Sequence, residues 1–310
     1  MVRYTVRRIL TGIAALFMLA TVTFFLVHLM PGSPFRGNTV SEQVAEAVER
    51  EYGLDQPVLT QYRVYMGNLL RGDLGISYQE PGVRVTQIIG RAWPITLSVS
   101  IPALILAVVG GTLLGVWGAM TKRQAVKTAI RAAGMLVAGI PSFAAAVILL
   151  LVFSVRLRVL PASGLLTPAH YVLPTVALAL YPMAVVSRMM ANALEKEMES
   201  GYVRFAQAKG MGGLQTVWYH ALRHAWLPVL HYIGPAAASL LTGSFVIESI
   251  FTIPGLGREF VSSITNRDYT MILGLTVFMG TVVIVLNLVT DLLSTWLDPR
   301  LRRQFLGRRK

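Results

Sequence analysis

His220 and His224 stand four residues apart on a stretch patterned as a helix, a spacing that turns two imidazoles to one face and suits metal ligation. No Asp or Glu lies between Tyr202 and Pro228 to complete an H-E-x-x-H arrangement, so the pair reads as two surface residues of an amphipathic helix. The chain has no cysteine, which removes disulfides, thiolate-bound zinc and a thiol nucleophile. It has no G-x-x-x-x-G-K-[ST] phosphate loop and no G-x-S-x-G elbow, and Gly255-Leu-Gly257 is too short for a dinucleotide fingerprint. His28, Glu248 and Asp291 are ionisable residues close to the ends of apolar runs, where solvation at the membrane interface is the expected role. A proton-coupled carrier would place a carboxylate nearer the middle of a span. No catalytic constellation is legible, so the chain is expected not to be an enzyme and to hold no cofactor or metal.

The elements that carry these residues are membrane spans. Charged residues make up only 14% of the chain against 54% hydrophobic, a depletion that soluble domains do not show. The apolar residues gather into runs of spanning length: Ile9–Met30, Pro94–Met120, Ala132–Val155, Tyr171–Met190, Trp226–Ile247 and Met271–Leu293. Arg3, Arg7 and Arg8 precede the first run, which is too long for a signal-peptide core and lacks a small-residue cleavage site, so it reads as a retained span. The net charge of +13 would suggest nucleic acid for a soluble protein, but here the basic residues follow the membrane. The short loops on one side hold only Arg156, Arg158, Arg258 and Arg267, while the other side holds the basic N-terminus, the Thr121–Arg131 loop and the Arg300–Lys310 tail. The fold expected is an all-α integral membrane protein with six transmembrane helices and both termini cytoplasmic.

Several features refine that plan. Residues 1–30 form the first span and 31–93 an extracytoplasmic helical segment. In the latter, Thr39-Val-Ser-Glu42 has capping-box spacing for a helix through Val44, Val48 and Tyr52 to Gly53. Asp55 is expected to cap a second helix, with Pro57 in its first turn, a Leu59, Tyr62, Met66 and Leu69 face, and a stop at Gly72. Residues 94–299 form the core and 300–310 a basic cytoplasmic tail. Gly111 and Gly115 permit close helix approach in lipid. Gly139-Ile-Pro-Ser-Phe143 interrupts the third span, either as a packed kink or beside a pathway.

The polar insertion 195–228 between the fourth and fifth spans reads as helix, glycine, helix. A helix over Val203–Lys209 stops at Gly210, and a second over Leu214–Trp226 leads into the fifth span at Pro228. Its sequences Tyr202-Val-Arg-Phe-Ala-Gln-Ala-Lys-Gly210 and His220-Ala-Leu-Arg-His-Ala-Trp-Leu-Pro228 resemble the cytoplasmic EAA loop of binding-protein-dependent ABC importer permeases, in the peptide branch. The departures are Phe205, Gln207 and His224, and Arg204 stands where other branches carry the loop's leading Glu. Ordered matches extend along the chain: Arg3-Tyr4, Pro31-Gly-Ser-Pro34, Gly53-Leu-Asp-Gln-Pro57, Arg71-Gly-Asp-Leu-Gly75, Ile140-Pro-Ser-Phe143, Pro254-Gly-Leu-Gly257, Asn266-Arg-Asp-Tyr269 and Asp298-Pro-Arg300. Gly234-Pro-Ala236, Thr242-Gly-Ser244 and Asn266-Arg-Asp-Tyr269 resemble the oligopeptide more than the dipeptide permease, while nickel and other small-solute permeases share much of the pattern.

The resemblance implies a multi-pass permease of the bacterial inner (cytoplasmic) membrane, forming half of a peptide pathway. The partners it implies are a homologous second permease in a heterodimer, two ABC ATPase subunits holding ATP and Mg, an extracytoplasmic substrate-binding protein and the lipid bilayer, with no nucleic acid. Arg204, Ala206, Ala208, Lys209 and Gly210 are then the ATPase-coupling residues: small alanines for close approach, cations for partner acids, and glycine for the sharp exit. Glu248, Pro254, Gly255 and Gly257, just after the fifth span, are expected to form an outer gate or a binding-protein contact. The different-class alternative is a secondary, ion-gradient transporter, for which inverted repeats would be expected; none is visible.

Overall fold

A computed structural model describes residues 2–30, 53–80 and 82–297. The expected helix from Thr39 through Tyr52 and the basic tail from Arg300 lie outside the described residues, which resume at Gly53. Among those described, the chain is helical, with a lone antiparallel bridge between Ile76 and Arg84. In chain order the helices are α1 Val2–His28, α2 Val58–Leu70, α3 Val85–Met120, α4 Gln124–Gly139 and α5 Ser142–Leu149, which widens into a π-helical stretch Leu150–Arg156. Then come α6 Pro168–Met198, α7 Gly201–Ala208, α8 Gly213–Thr216, a π-helical stretch Val217–Ala221, α9 Leu222–Ala225, α10 Leu227–Ile250, α11 Leu256–Thr265 and α12 Tyr269–Leu297.

Helices α1, α3, α6, α10 and α12 are each long and apolar enough to cross a membrane. The candidate for a sixth crossing is a broken pair: α4 and α5 with its π-helical extension meet at an angle of 103° where Ile140 and Pro141 interrupt the helix, as the Gly139–Phe143 pattern predicted. The alternation places Arg8, Lys127, Arg131, Glu195 and Asp291 at one end of the bundle. Arg8 pairs with Asp291 at 2.8 Å, Lys127 with Glu195 at 2.6 Å and Arg131 with Glu195 at 2.8 Å. The opposite end holds α2, α11 and the links around them.

The centre of the bundle is the α3–α6 pair. Gly111 and Gly115 face the Met183 and Ser187 carbonyls so closely that an added Cβ would lie 2.7 and 2.6 Å from them. Without a hydrophobic driving force between helices in lipid, such backbone proximity is what holds two spans together. Ala103 and Ala107 continue the small-residue stripe, fully buried against Ala177, Leu178 and Leu240. The start of α6 is written locally: Thr167 caps it with His170, Oγ1 to Nδ1 at 2.8 Å, and Pro168 opens the first turn.

Two expectations need correction. Helix α3 begins at Val85 rather than Pro94, because the Gln87 side chain accepts a hydrogen bond from the Arg84 backbone N–H at 3.1 Å and nucleates the helix earlier; Pro94 and Pro102 then lie inside it. Asp55 does not cap α2. Pro57 occupies the N-cap, and its carbonyl accepts the Thr60 N–H at 2.7 Å. On α2 the packing falls to Tyr62 and Tyr65 against Phe24, while Leu59 is exposed and Gly72 ends the segment with a φ of +78°.

Candidate functional site

Two regions carry the residues singled out by sequence, and a third emerges only from the packing. The first is the insertion after α6. Helix α7 turns Val203 and Ala206 inward. Val203, Val217, Ala221, Ala225 and Val229 pack on Val186, Met190 and Leu194 of α6. Gly210 follows at a φ of +90°, with nothing within 4 Å of where a Cβ would stand, so it is selected for its left-handed backbone and not for space. Arg204, Ala208 and Lys209 are exposed, as a docking role requires, whereas Ala206 is buried against the chain's own body and offers nothing to an outside partner. What composition did not reveal is the aromatic character of the outer face. Phe205, Trp218 and Tyr219 are more than 60% exposed. Lys209 Nζ sits 4.6 Å above the Phe205 ring, and Tyr202 hydrogen-bonds Glu197 and meets His224 edge-on at 5.6 Å. Helical spacing on a polar stretch was the signal that could have found this patch. His220 and His224 join no cluster of three potential metal ligands among the described residues.

The second region is the turn from Glu248 to Gly257, and it is a locked joint. Glu248 is 1% exposed. Its carboxylate accepts the Thr96 hydroxyl at 2.8 Å and the Gly257 and Arg258 backbone N–H groups at 2.7 and 3.3 Å, while Thr96 Oγ1 accepts the Leu256 N–H at 2.8 Å. The carboxylate thus caps the first turn of α11 and ties it to α3 and α10. A Cβ on Gly255 would fall 2.4 Å from Glu248 Oε2, and one on Gly257 would fall 2.3 Å from Phe245 Cα. Interfacial solvation does not describe Glu248, and a surface contact is not open to Glu248, Gly255 or Gly257, which are all buried; Pro254 alone of the four is exposed. On α11, Glu259 has its carboxyl pushed above the usual carboxylate range, first by burial and then by the Glu80 carboxylate, against the pull of Arg258 and Arg91.

A parallel joint was not anticipated. Asp268, 1% exposed, accepts the Met271 N–H at 3.1 Å as the cap of α12. Its other oxygen takes the Ser77 hydroxyl at 2.5 Å and the Tyr78 N–H at 3.0 Å, fastening the segment before α3 to the last span. His28 is likewise a bridge: Nδ1 meets the Phe24 carbonyl at 2.8 Å and Nε2 meets Gln61 Oε1 at 2.9 Å, joining α1 to α2.

The third region is a membrane-depth face. On α1 the exposed side chains are Leu10, Ile13, Phe17, Met18, Val22 and Leu26, and on α3 they are Ile101, Ile105, Val109 and Leu113, all suited to lipid. On α6 the exposed positions include Tyr181, Arg188 and Asn192, and on α10 they include His231, Ser239 and Thr242. Tyr181, Ser239 and Ser142 line a cavity of about 260 Å³ at the α4–α5 break. Arg188 and Asn192 line a neighbouring one of about 220 Å³ against α4.

With that geometry in place, the chain can be set beside known proteins. The family described as "Binding-protein-dependent transport system inner membrane component" matches residues 111–303, and its N-terminal companion, described as "Binding-prot-dependent transport system membrane comp, N-term", matches residues 1–100. The dipeptide transport system permease protein DppB of Bacillus subtilis is 37% identical over 97% of this chain and 98% of its own length. The oligopeptide transport system permease protein OppB of Haemophilus influenzae is 36% identical over 97% of this chain and all of its own. The two identities do not separate the dipeptide from the oligopeptide branch. Among solved structures, the MetNI methionine ABC transporter in an inward-facing form aligns with a TM-score of 0.57 at 17% identity, covering 69% of this chain and 97% of that one, a likeness of fold.

Proposed function

This chain belongs to the family of binding-protein-dependent transport system inner membrane components, a multi-pass permease of the bacterial inner membrane, and from that premise we propose that it forms one half of the translocation pathway of an ATP-driven peptide importer. The observation that carries the reading is the polar face of α6 and α10. An arginine, an asparagine and a histidine exposed on helices long and apolar enough to cross a membrane are costly against hydrocarbon and are at home against water or a second polypeptide. A homologous permease, in a heterodimer, supplies the opposing face. The relatives named for dipeptide and oligopeptide transport support peptides as the solute; nickel or another small solute is the alternative within the same role.

Energy enters from other chains. Two ATPase subunits hold ATP and Mg, this chain catalyses nothing and holds no cofactor, and an extracytoplasmic binding protein delivers the solute. The ATPases dock on the outer face of the insertion after α6, which lies on the cytoplasmic side with both termini. Phe205, Trp218 and Tyr219 supply apolar contact area; Arg204, Ala208 and Lys209 stand beside them. The inner face of α7–α9 is packed on α6, and α9 runs into α10 through Trp226, whose indole N–H reaches Thr112 Oγ1 of α3 at 3.4 Å. A push on the insertion therefore moves α6 and α10 together, the two helices that carry the polar face.

Because the chain has no cysteine, single substitutions give clean reporters. In the assembled importer, Ser239→Cys should react with a water-soluble maleimide and Phe17→Cys should not. Protection at both positions, or reaction at both, contradicts the assignment of the two faces.

A further inference from the structure

Arg188 lies on α6 ten residues before its end at Met198, and Lys196 is the other strongly basic residue of that helix. Lys127 and Arg131, on the neighbouring α4, are both held by Glu195 at 2.6 to 2.9 Å. Arg188 is exposed, and among the described residues no carboxylate pairs with it. It lies seven residues before Glu195, which on a helix is about 10 Å deeper into the membrane. A guanidinium cannot shed its proton to escape that environment, so its charge must be met by water or by an anion that visits. The cavity it lines also presents Ser187 and Asn192, a hydroxyl and a carboxamide, and contains no acidic side chain. Two cations sharing Glu195 leave the local charge positive even before Arg188 is counted.

We infer that Arg188, with Asn192 beside it, is a carboxylate-binding station on the pathway, taking the free C-terminal carboxylate of a peptide in transit. This rests on the peptide-permease reading above. The planar fork of the guanidinium matches a carboxylate with two parallel N–H···O bonds, and the carboxamide N–H₂ adds a donor. Tyr181 lies seven residues back along the same exposed stripe, about 10 Å away, the reach of about three extended residues. A short peptide anchored at Arg188 therefore extends to the cavity at the α4–α5 break.

The test uses the assembled importer in proteoliposomes, with each probe at a concentration that saturates the binding protein. The probes are trialanine with a free carboxylate and trialanine amide. The station predicts that the free acid enters about tenfold faster than the amide, that Arg188→Gln brings the acid down to the rate of the amide while leaving the amide unchanged, and that Arg188→Lys keeps part of the preference. If Arg188→Gln slows both peptides equally, the arginine serves the fold or pairs with the second permease, and the inference falls. If the acid rate is unchanged, it falls as well. A wild-type importer that carries neither peptide overturns the peptide reading itself, and this inference with it.

Discussion

The insertion at Gly210 and the turn at Gly255–Gly257 are both glycine-punctuated stretches beside the fifth span, yet the molecule uses them in opposite ways. Gly210 stands in open space and is needed for its left-handed φ of +90°. Gly255 and Gly257 are needed because there is no room: the Glu248 carboxylate and the Phe245 backbone occupy the volume of any Cβ. Around Gly210 large aromatics face outward, while around Gly257 the side chains of Glu248, Ile253 and Leu256 are buried. One glycine therefore shapes an exposed surface and the others lock a joint. A push delivered at one end of α10 can be transmitted to the other only if that joint does not yield.

Substitutions should pull this contrast apart, beginning with the largest effect. Gly257→Ala places a methyl 2.3 Å from Phe245 Cα, which backbone cannot relieve by rotamer change, so the chain should lose about 3 kcal/mol and fail to accumulate as a monodisperse species in detergent. Glu248→Ala leaves the Thr96 hydroxyl and the Gly257 N–H without their partner and should cost about 2 kcal/mol, read as a lower unfolding temperature. Gly210→Ala meets no atom and should cost only about 1 kcal/mol for the left-handed backbone, with a measurable drop in binding-protein-stimulated ATP hydrolysis. Phe205→Ala should change stability by less than about 0.5 kcal/mol yet depress that same stimulation, since the ring touches the protein's own body little. If the Phe205 variant proves unstable or the Gly257 variant folds normally, the two turns are not the opposites described.

The spans, the Gly111–Gly115 contact, the interruption at Gly139–Phe143 and the left-handed Gly210 were all legible in the sequence, because each is written within a few neighbouring residues. The start of α3 was misplaced because a tryptophan–proline pair looked like a boundary when Gln87 had already started the helix. Burial was harder still. Ala206 and Ala208 are the same residue type two positions apart, and only the packing of α7 on α6 sends the first inward. The buried carboxylates were out of reach for a different reason: Glu248 meets Thr96 across 152 residues and Asp268 meets Ser77 across 191, and no local pattern records such pairings. The polar membrane face was hidden in plain composition, since Arg188, Asn192 and Ser239 gain meaning only once they are seen on exposed stripes of adjoining helices.

The central claim is that this chain supplies a pathway and a lever but no driving force. Peptide uptake into proteoliposomes tests it most directly, comparing the chain alone under an imposed proton or sodium gradient with the assembled importer supplied with ATP and binding protein. The account predicts uptake only from the assembly, and only while ATP is hydrolysed; accumulation by the chain alone, driven by the gradient, would contradict it.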